Sequence, residues 1–286
     1  MRKEQLLNFE FEWEALNKCP LCGHRVLIPS GKVSWLSMEF WYVICVSCGI
    51  KFMNPRPTQT SYRHFYKDYF WQQKERNLGF HQSGQIWGGL VYKWSTSQEW
   101  SPEEGTRNIK EMHRELRVDS ILDGVSKFIE IDSETAILEV GAGYGVTLDE
   151  INRRFGSTVY AIEPSEVARK FIQELDVSIV GYYAEELRDL SNEELKYDCI
   201  IFSHSLENTT NPLGVITWAR KCLKEKGIIY VQCANLHTFD QMNPYHPYIF
   251  SEYSLSYLGE KAGFTTDRLD KDHTHRMLTM IFHQQH

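Results

Sequence analysis

From about residue 120 onward the sequence predicts an α/β fold, a mostly parallel sheet of seven strands with helices on both faces. Three observations carry that prediction. Short apolar runs alternate with amphipathic stretches through this region. A small-residue segment, Gly141-Ala142-Gly143-Tyr144-Gly145, follows one apolar run and opens a helix. Ahead of the region lie two Cys-x2-Cys pairs, which announce a separate small module. At 286 residues the chain has room for one large domain or two modest ones. The expected division is a cysteine module over 1–57, an aromatic helical connector over 58–119 and the α/β domain over 120–286.

The cysteine pairs are Cys19/Cys22 and Cys45/Cys48, each followed by glycine (Gly23 and Gly49). A Cys-x2-Cys turn lets two thiolates reach one metal, and two such turns supply the four sulfurs of a tetrahedral zinc site. The glycines suit positions that need positive φ. Val33 to Val46 between the turns is rich in aromatic and β-branched residues and reads as strand. The pattern is that of a zinc ribbon, in which Zn2+ folds a segment too small to hold a core alone. Four thiolates leave no open position, so the metal is structural. His24 is read as a bystander. Cys199, Cys222 and Cys233 lie in apolar stretches and read as core thiols.

Asn54-Pro55-Arg56-Pro57-Thr58 reads as a rigid linker. Ser61 to Trp71 reads as a short aromatic helix, and the aromatic excess continues to Trp100. Two readings stand for this segment, a connector packed on the larger domain and a lid whose rings stack on a planar or sugar-like substrate. Further on, strands are expected at Ala136–Val140, Thr158–Ile162, Ser178–Val180, Tyr197–Phe202, Gly227–Cys233, Phe264–Leu269 and Met277–Phe282. Helices are expected near 145–155, 165–175, 212–224 and 252–262. Ser165 and Ser251 are the expected N-caps, and Gly227 and Gly263 sit where helices should stop.

The glycine loop has the form E-x-G-x-G-x-G, beginning at Glu139. Small residues there let backbone N–H groups and a helix N-terminus approach a cofactor closely, as in Rossmann-like sheets. Glu163 ends the next strand, where an acid can accept hydrogen bonds from both hydroxyls of a ribose. Strand, glycine loop, helix, strand and acid in register form a far more specific signal than the loop alone.

ILEVGAGYGVT, VYAIEPS, YDCIIFSHSLENTTNPL, LKEKGIIYVQCAN and HPYIFSEYSLSYLGEKAGF together resemble a class I S-adenosylmethionine-dependent methyltransferase. CPLCGH, CVSCGI, MNPRPT and the tyrosine-rich helix resemble a bacterial branch of that superfamily in which a zinc ribbon precedes the catalytic domain. Members of that branch often modify sugars or nucleotide sugars in polysaccharide or natural-product pathways. The resemblance implies that Gly141, Ala142, Gly143 and Gly145 line the methionine and ribose of the cofactor, with Glu139 near its amino group. It implies that Glu163 holds the ribose diol and that Pro164 lies against the adenine. Many relatives place an Asp after the third strand to meet the adenine amine. Here Ala184 and Glu185 occupy that stretch. The resemblance also implies that Ser203 and His204, ending the fourth strand, sit beside the reactive methyl.

Two departures bear on chemistry. Relatives commonly read H-x-L-E-H after the fourth strand, whereas this chain reads His204-Ser205-Leu206-Glu207-Asn208. Some sugar methyltransferases carry Y-H-E-H after the fifth strand, whereas this chain has Tyr245-His246-Pro247-Tyr248. A hydroxyl acceptor gains from a base with a pKa near neutrality, which favours histidine. His204 and His246 are therefore the candidate bases, with Glu207 orienting or assisting. His273, His275 and His283 are read as edge histidines.

Composition narrows the partners. The longest apolar run, Phe40–Val46, is far short of the roughly 20 residues a membrane helix needs. No apolar leader follows Met1, so a secretory signal is not expected and the cytoplasm is the expected compartment. The net charge of −7 disfavours nucleic acid. Residues 1–120 nevertheless carry 16 Lys/Arg against 13 Asp/Glu, which leaves an anionic small-molecule acceptor open. A sugar-like small molecule is the expected partner, with no membrane, and a homodimer is compatible with the sequence. Two other functions are kept: an RNA methyltransferase whose ribbon grips nucleic acid, and a non-catalytic cofactor-binding partner protein.

Overall fold

The computed structural model describes residues 10–35, 38–69, 117–237, 246–269 and 277–284. Most of the expected connector, residues 70–116, lies outside them, as do Tyr245, His273 and His275.

The cysteine module is built on short antiparallel strands. β1 (Trp13–Glu14) pairs with β5 (Arg56–Pro57). β2 (Leu27–Trp35), β3 (Met38–Cys45) and β4 (Lys51–Met53) form a second, antiparallel set. One strand was expected between the cysteine turns, and the structure has a two-stranded hairpin. Pro29 and Gly31 flank a register shift in its first strand, and these two residues hide that strand in the sequence. Gly23 and Gly49 take φ of 77° and 66°, as their turns require. α1 (Gln59–His64) is capped by the Thr58 hydroxyl, which accepts from Ser61 N–H at 3.3 Å. It widens into a π-helical turn over Phe65–Tyr69.

After α2 (Asp119–Val125) the α/β region follows in order. Its elements are β6 (Ala136–Val140), α3 (Val146–Phe155), β7 (Thr158–Ile162), α4 (Glu166–Ile172), β8 (Ser178–Gly181) and α5 (Leu187–Leu190). Next come β9 (Tyr197–Ser203), α6 (Pro212–Cys222), β10 (Leu223–Ala234), β11 (Tyr248–Ile249), α7 (Glu252–Lys261), β12 (Thr265–Arg268) and β13 (Met277–His283). The large sheet runs β8-β7-β6-β9-β10-β13-β12, and β13 alone is antiparallel to its neighbours. β6 is buried along its whole length, as a central strand covered on both faces should be. α2, α3 and α4 pack on one face, α6 and α7 on the other. Ser165 and Ser251 cap α4 and α7, each accepting from a backbone N–H three residues on.

One expected boundary is corrected. Gly227 does not end a helix; α6 stops at Cys222 and Gly227 lies inside β10. A Cβ there would stand 2.8 Å from the Tyr197 carbonyl oxygen, so glycine is what lets β10 lie against β9.

The two regions share a sheet. β11 lies between β10 and α7 of the α/β region yet pairs antiparallel with β4 of the cysteine module, giving the order β11-β4-β3-β2. Met53 N–H donates to the Pro247 carbonyl at 2.8 Å. Beside this junction Arg56 is buried. Its Nη1 donates to the Thr210 carbonyl at 2.7 Å and the Tyr248 hydroxyl at 2.6 Å, and its Nε to Glu14 at 2.8 Å. Cys19, Cys45, Cys48, Ile50 and Phe52 belong to the same apolar cluster as Leu138, Phe202 and Leu255. Arg56→Ala removes charge-assisted bonds that cross this junction and is expected to cost roughly 2–3 kcal/mol of stability. Urea unfolding followed by circular dichroism measures it.

Candidate functional site

The carboxyl ends of β6, β7, β8 and β9 open onto one cleft. Open α/β sheets bind ligands at this edge. The glycine loop after β6 makes the turn with Gly141, Gly143 and Gly145 all at positive φ. A Cβ on Gly141 would lie 2.6 Å from Ser205 Cβ. Glycine there lets the loop pack against the turn after β9, where Ser205 Oγ donates to the Val140 carbonyl at 2.5 Å.

The loop's N–H groups face inward. Gly141 and Ala142 donate to the Ile162 carbonyl at 2.8 and 3.2 Å, and Gly145 to the Ala142 carbonyl at 3.0 Å. Gly143 N–H donates to Glu163 Oε2 at 2.7 Å, and Ser165 N–H to Glu163 Oε1 at 2.8 Å. Four of these N–H groups close the loop on β7 and on itself. Glu163 pins the loop to the end of β7 and still lines the cleft.

Gly141, Glu163, Pro164, Ala184, Glu185 and His204 all line the cleft. Glu139, Ala142, Gly143, Gly145, Ser203, Glu207 and His246 do not reach its lining and stand behind it or in the loop. Four lining residues come from outside the α/β region, Gln59, Tyr62, Arg63 and Tyr66 of α1 and the turn after it. Their spacing of three, four and seven residues puts them on one helix face, and that periodicity is the sequence signal for them. Tyr183, Asn208, Thr209 and Thr210 also line the cleft. Of the expected aromatic lid, Tyr62 and Tyr66 lie in the cleft wall, their rings stacked with centroids 6.2 Å apart.

A buried acid, Glu207, is coupled to two histidines here. His204 Nδ1 is 3.5 Å from Glu207 Oε1. His204 itself has φ of 55°, a strained value for a non-glycine residue, and its N–H donates to the Gln232 carbonyl at 2.8 Å. Burial pushes the His204 pKa below the ordinary histidine value, and the positive charge of Arg117 adds to this against the opposing pull of Glu207. Burial likewise lowers His246, again against Glu207. For Glu207, burial acts upward, but the two histidines outweigh it and hold its carboxyl below the usual range. Both imidazoles are therefore neutral near pH 7 while Glu207 is ionised. Glu139 behaves oppositely: burial pushes it up to about 8 despite Arg117 and the Thr147 hydroxyl, so it is largely protonated near neutrality.

Buried polar atoms left without a hydrogen bond cluster here: Arg63 Nε, Glu139 Oε2, Ser203 Oγ, both Glu207 oxygens, Asn208 Oδ1 and His246 Nδ1. Such groups are costly and mark a place kept for ligands rather than for stability. The His246 backbone is fixed by the cysteine module, whose Tyr42 hydroxyl donates to its carbonyl at 2.9 Å. The expected loop around His246 instead leads directly into β11.

Cys19, Cys22, Cys45 and Cys48 form a second constellation, their sulfurs all within 4.8 Å of one another. A zinc–sulfur distance of about 2.3 Å makes the edges of a tetrahedron about 3.8 Å, so the donor set fits one ion. Cys199, Cys222 and Cys233 are buried elsewhere. His283 contacts Asp267 at 2.7 Å, away from the cleft. Among the described residues no helix is long and apolar enough to cross a membrane.

The strand order, the single antiparallel strand and the cleft at this edge define the fold of the class I S-adenosylmethionine-dependent methyltransferases. The chain belongs to the methyltransferase-domain family, which it matches over residues 110–269. The ubiquinone biosynthesis O-methyltransferase of Actinobacillus pleuropneumoniae serotype 5b is 33% identical over 108 residues, 35% of this chain and 45% of that relative. The match thus spans less than half the relative's length. Streptomyces venezuelae DesVI superposes with a TM-score of 0.52 at 14% identity, covering 65% of this chain and 100% of that one. A SAM-dependent methyltransferase from Archaeoglobus fulgidus superposes with a TM-score of 0.51 at 15% identity, covering 64% and 100%. At these identities the likeness is one of fold.

Glu207 raises the proton affinity of both histidines, so Glu207→Gln should move the ring titrations of His204 and His246 to lower pH. Histidine-selective NMR titration measures this. Unmoved titrations would show that the acid is not coupled to the imidazoles.

Proposed function

We propose that the protein transfers a methyl group from S-adenosylmethionine to a small-molecule acceptor, with a sugar or nucleotide-linked sugar as the acceptor class. The observation that carries this is the cleft itself. It gathers Gly141, Glu163, Pro164 and Ala184 on one side and His204 on the other, in a chain of the methyltransferase-domain family. Stacked Tyr62 and Tyr66 suit the apolar face of a sugar or ring. The name of the O-methyltransferase relative favours oxygen as the acceptor atom.

When bound, the cofactor supplies a methyl carbon already activated by its sulfonium. The chain must then align an acceptor and receive its proton. Glu163 would hold the ribose hydroxyls, since a carboxylate oxygen accepts more than one donor. Pro164 would lie against the adenine. Glu139 would face the amino group of the methionine moiety. The proton leaving the acceptor hydroxyl goes to His204, and Glu207 stabilises the imidazolium that results. His246, the other candidate base, is coupled to the same carboxylate electrostatically. We also assign the four cysteine sulfurs to a structural zinc ion, which closes the ribbon and takes no part in methyl transfer.

Purified protein incubated with methyl-labelled S-adenosylmethionine and a panel of nucleotide sugars, free sugars and phenols tests the activity. The rate should rise with pH through an acid limb below the ordinary histidine value of about 6.5. His204→Gln should lower kcat by about 10²–10⁴-fold while S-adenosylhomocysteine still binds. Calorimetry that detects no binding of S-adenosylmethionine would overturn the reading. Elemental analysis should find one zinc per chain, and Cys45→Ser should abolish it and lower the thermal midpoint.

A further inference from the structure

Arg63 comes from α1, ahead of the α/β sheet, yet it lines the cleft beside Tyr183, Ala184 and Glu185. Its guanidinium lies over the Tyr183 ring, 4.5 Å from the centroid. Its Nη2 is 3.6 Å from Glu185 Oε2, and the other Glu185 oxygen is 3.5 Å from the Thr210 hydroxyl. These separations hold the groups in place but are longer than a good N–H···O bond. A guanidinium carries five N–H donors, and here its Nε has no partner. With 38% of the Arg63 side chain and 16% of the Glu185 side chain exposed, the pair keeps hydrogen-bonding capacity at the cleft.

This edge of the cleft therefore presents an acceptor and a donor side by side, a carboxylate oxygen next to a guanidinium N–H. The stretch after β8 contains no aspartate, and its Glu185 is matched with a cation from another part of the chain. Adenine presents the complementary pair on its Watson–Crick edge, the N6 amine as donor and N1 as acceptor. Hypoxanthine presents the reverse, O6 as acceptor and N1–H as donor. We propose that Arg63 and Glu185 together read the adenine edge of the cofactor, so that the helix following the cysteine module supplies half of its base specificity. The proposal rests on the reading of this cleft as an S-adenosylmethionine site.

Calorimetry on the full chain with S-adenosylhomocysteine and S-inosylhomocysteine tests it, with no acceptor needed. The wild-type protein should prefer the adenine ligand by about 10-fold or more, the discrimination a mismatched hydrogen-bonding edge brings. Arg63→Met and Glu185→Ala should each weaken S-adenosylhomocysteine several-fold and shrink that preference. Arg63→Lys should recover part of it, and Lys67→Ala, on the same helical segment, should change neither ligand. Circular dichroism verifies folding, and Glu185→Ala leaves α1 untouched if Arg63→Met unfolds it. Equal weakening of both ligands would make Arg63 a mere latch and overturn the proposal. Unchanged S-adenosylhomocysteine binding in Arg63→Met and Glu185→Ala would also overturn it, while leaving the cofactor site intact. Failure of the wild-type protein to bind either ligand would instead remove the cofactor reading and the proposal with it.

Discussion

The pairing of β4 with β11, locked by Arg56, is the constraint on which the site depends. Residues 51–59 run through β4, β5 and the start of α1. In that short span the chain joins the cysteine cluster to the strand after His246, places a guanidinium on Thr210 and Tyr248, and launches the helix that walls the cleft. A two-residue strand such as β11 contributes few backbone bonds. It is held because Tyr248 is buried between Arg56 and Phe250 and because its neighbour Met53 also bonds Pro247. Burying Arg56 is tolerable only because its donors meet Thr210, Tyr248 and Glu14. Removing any one of these leaves a desolvated charge short of a partner.

The same junction explains the electrostatics beneath the cleft. Glu207 is 1% exposed and its oxygens make no hydrogen bond, which would be prohibitive for an isolated carboxylate. His204 Nδ1 approaches it to 3.5 Å, and His246, coupled to the same group, is delivered by the backbone that Tyr42 and Met53 hold. The histidines are kept neutral by burial, so the acid lowers the cost of protonating them without protonating them in advance. That is the condition a base needs near neutral pH. Arg117, beside His204 and Glu139, pushes in the same direction by opposing the imidazolium.

Much of the α/β region was legible because its signals are local. The strands at Ala136–Val140 and Thr158–Ile162 match their apolar runs residue for residue. Ser165 and Ser251 announce their helices through their own side chains. The four cysteines converge as their spacing requires. What was illegible is what depends on distant partners. Nothing local in His246-Pro247-Tyr248 says strand; β11 exists because β4 lies beside it. Gly227 looks like a helix stop until the Tyr197 carbonyl beside it is known. The glycine loop reads as a set of N–H donors, but the carbonyl of Ile162 and the carboxylate of Glu163 claim them. Arg63 was missed because an arginine on an aromatic helix has no chemistry of its own until Tyr183 and Glu185 face it.

A cleft assembled from segments this far apart in sequence has a physical consequence for the proposed zinc. The ion would sit in the same apolar cluster as the sheet and remote from any open coordination position. Its binding energy would be folding energy for the ribbon. Because the ribbon's strands continue into β11 and its chain continues into α1, that energy is spread over both walls of the cleft. The unsatisfied groups beneath it, Glu207, His246 and Asn208 among them, favour relaxation of the walls towards water. A metal-closed ribbon opposes that relaxation without touching the reactants. The cysteine module, closed by the proposed zinc, would then be part of the site in the mechanical sense, holding in place groups that the α/β domain alone would have reason to rearrange.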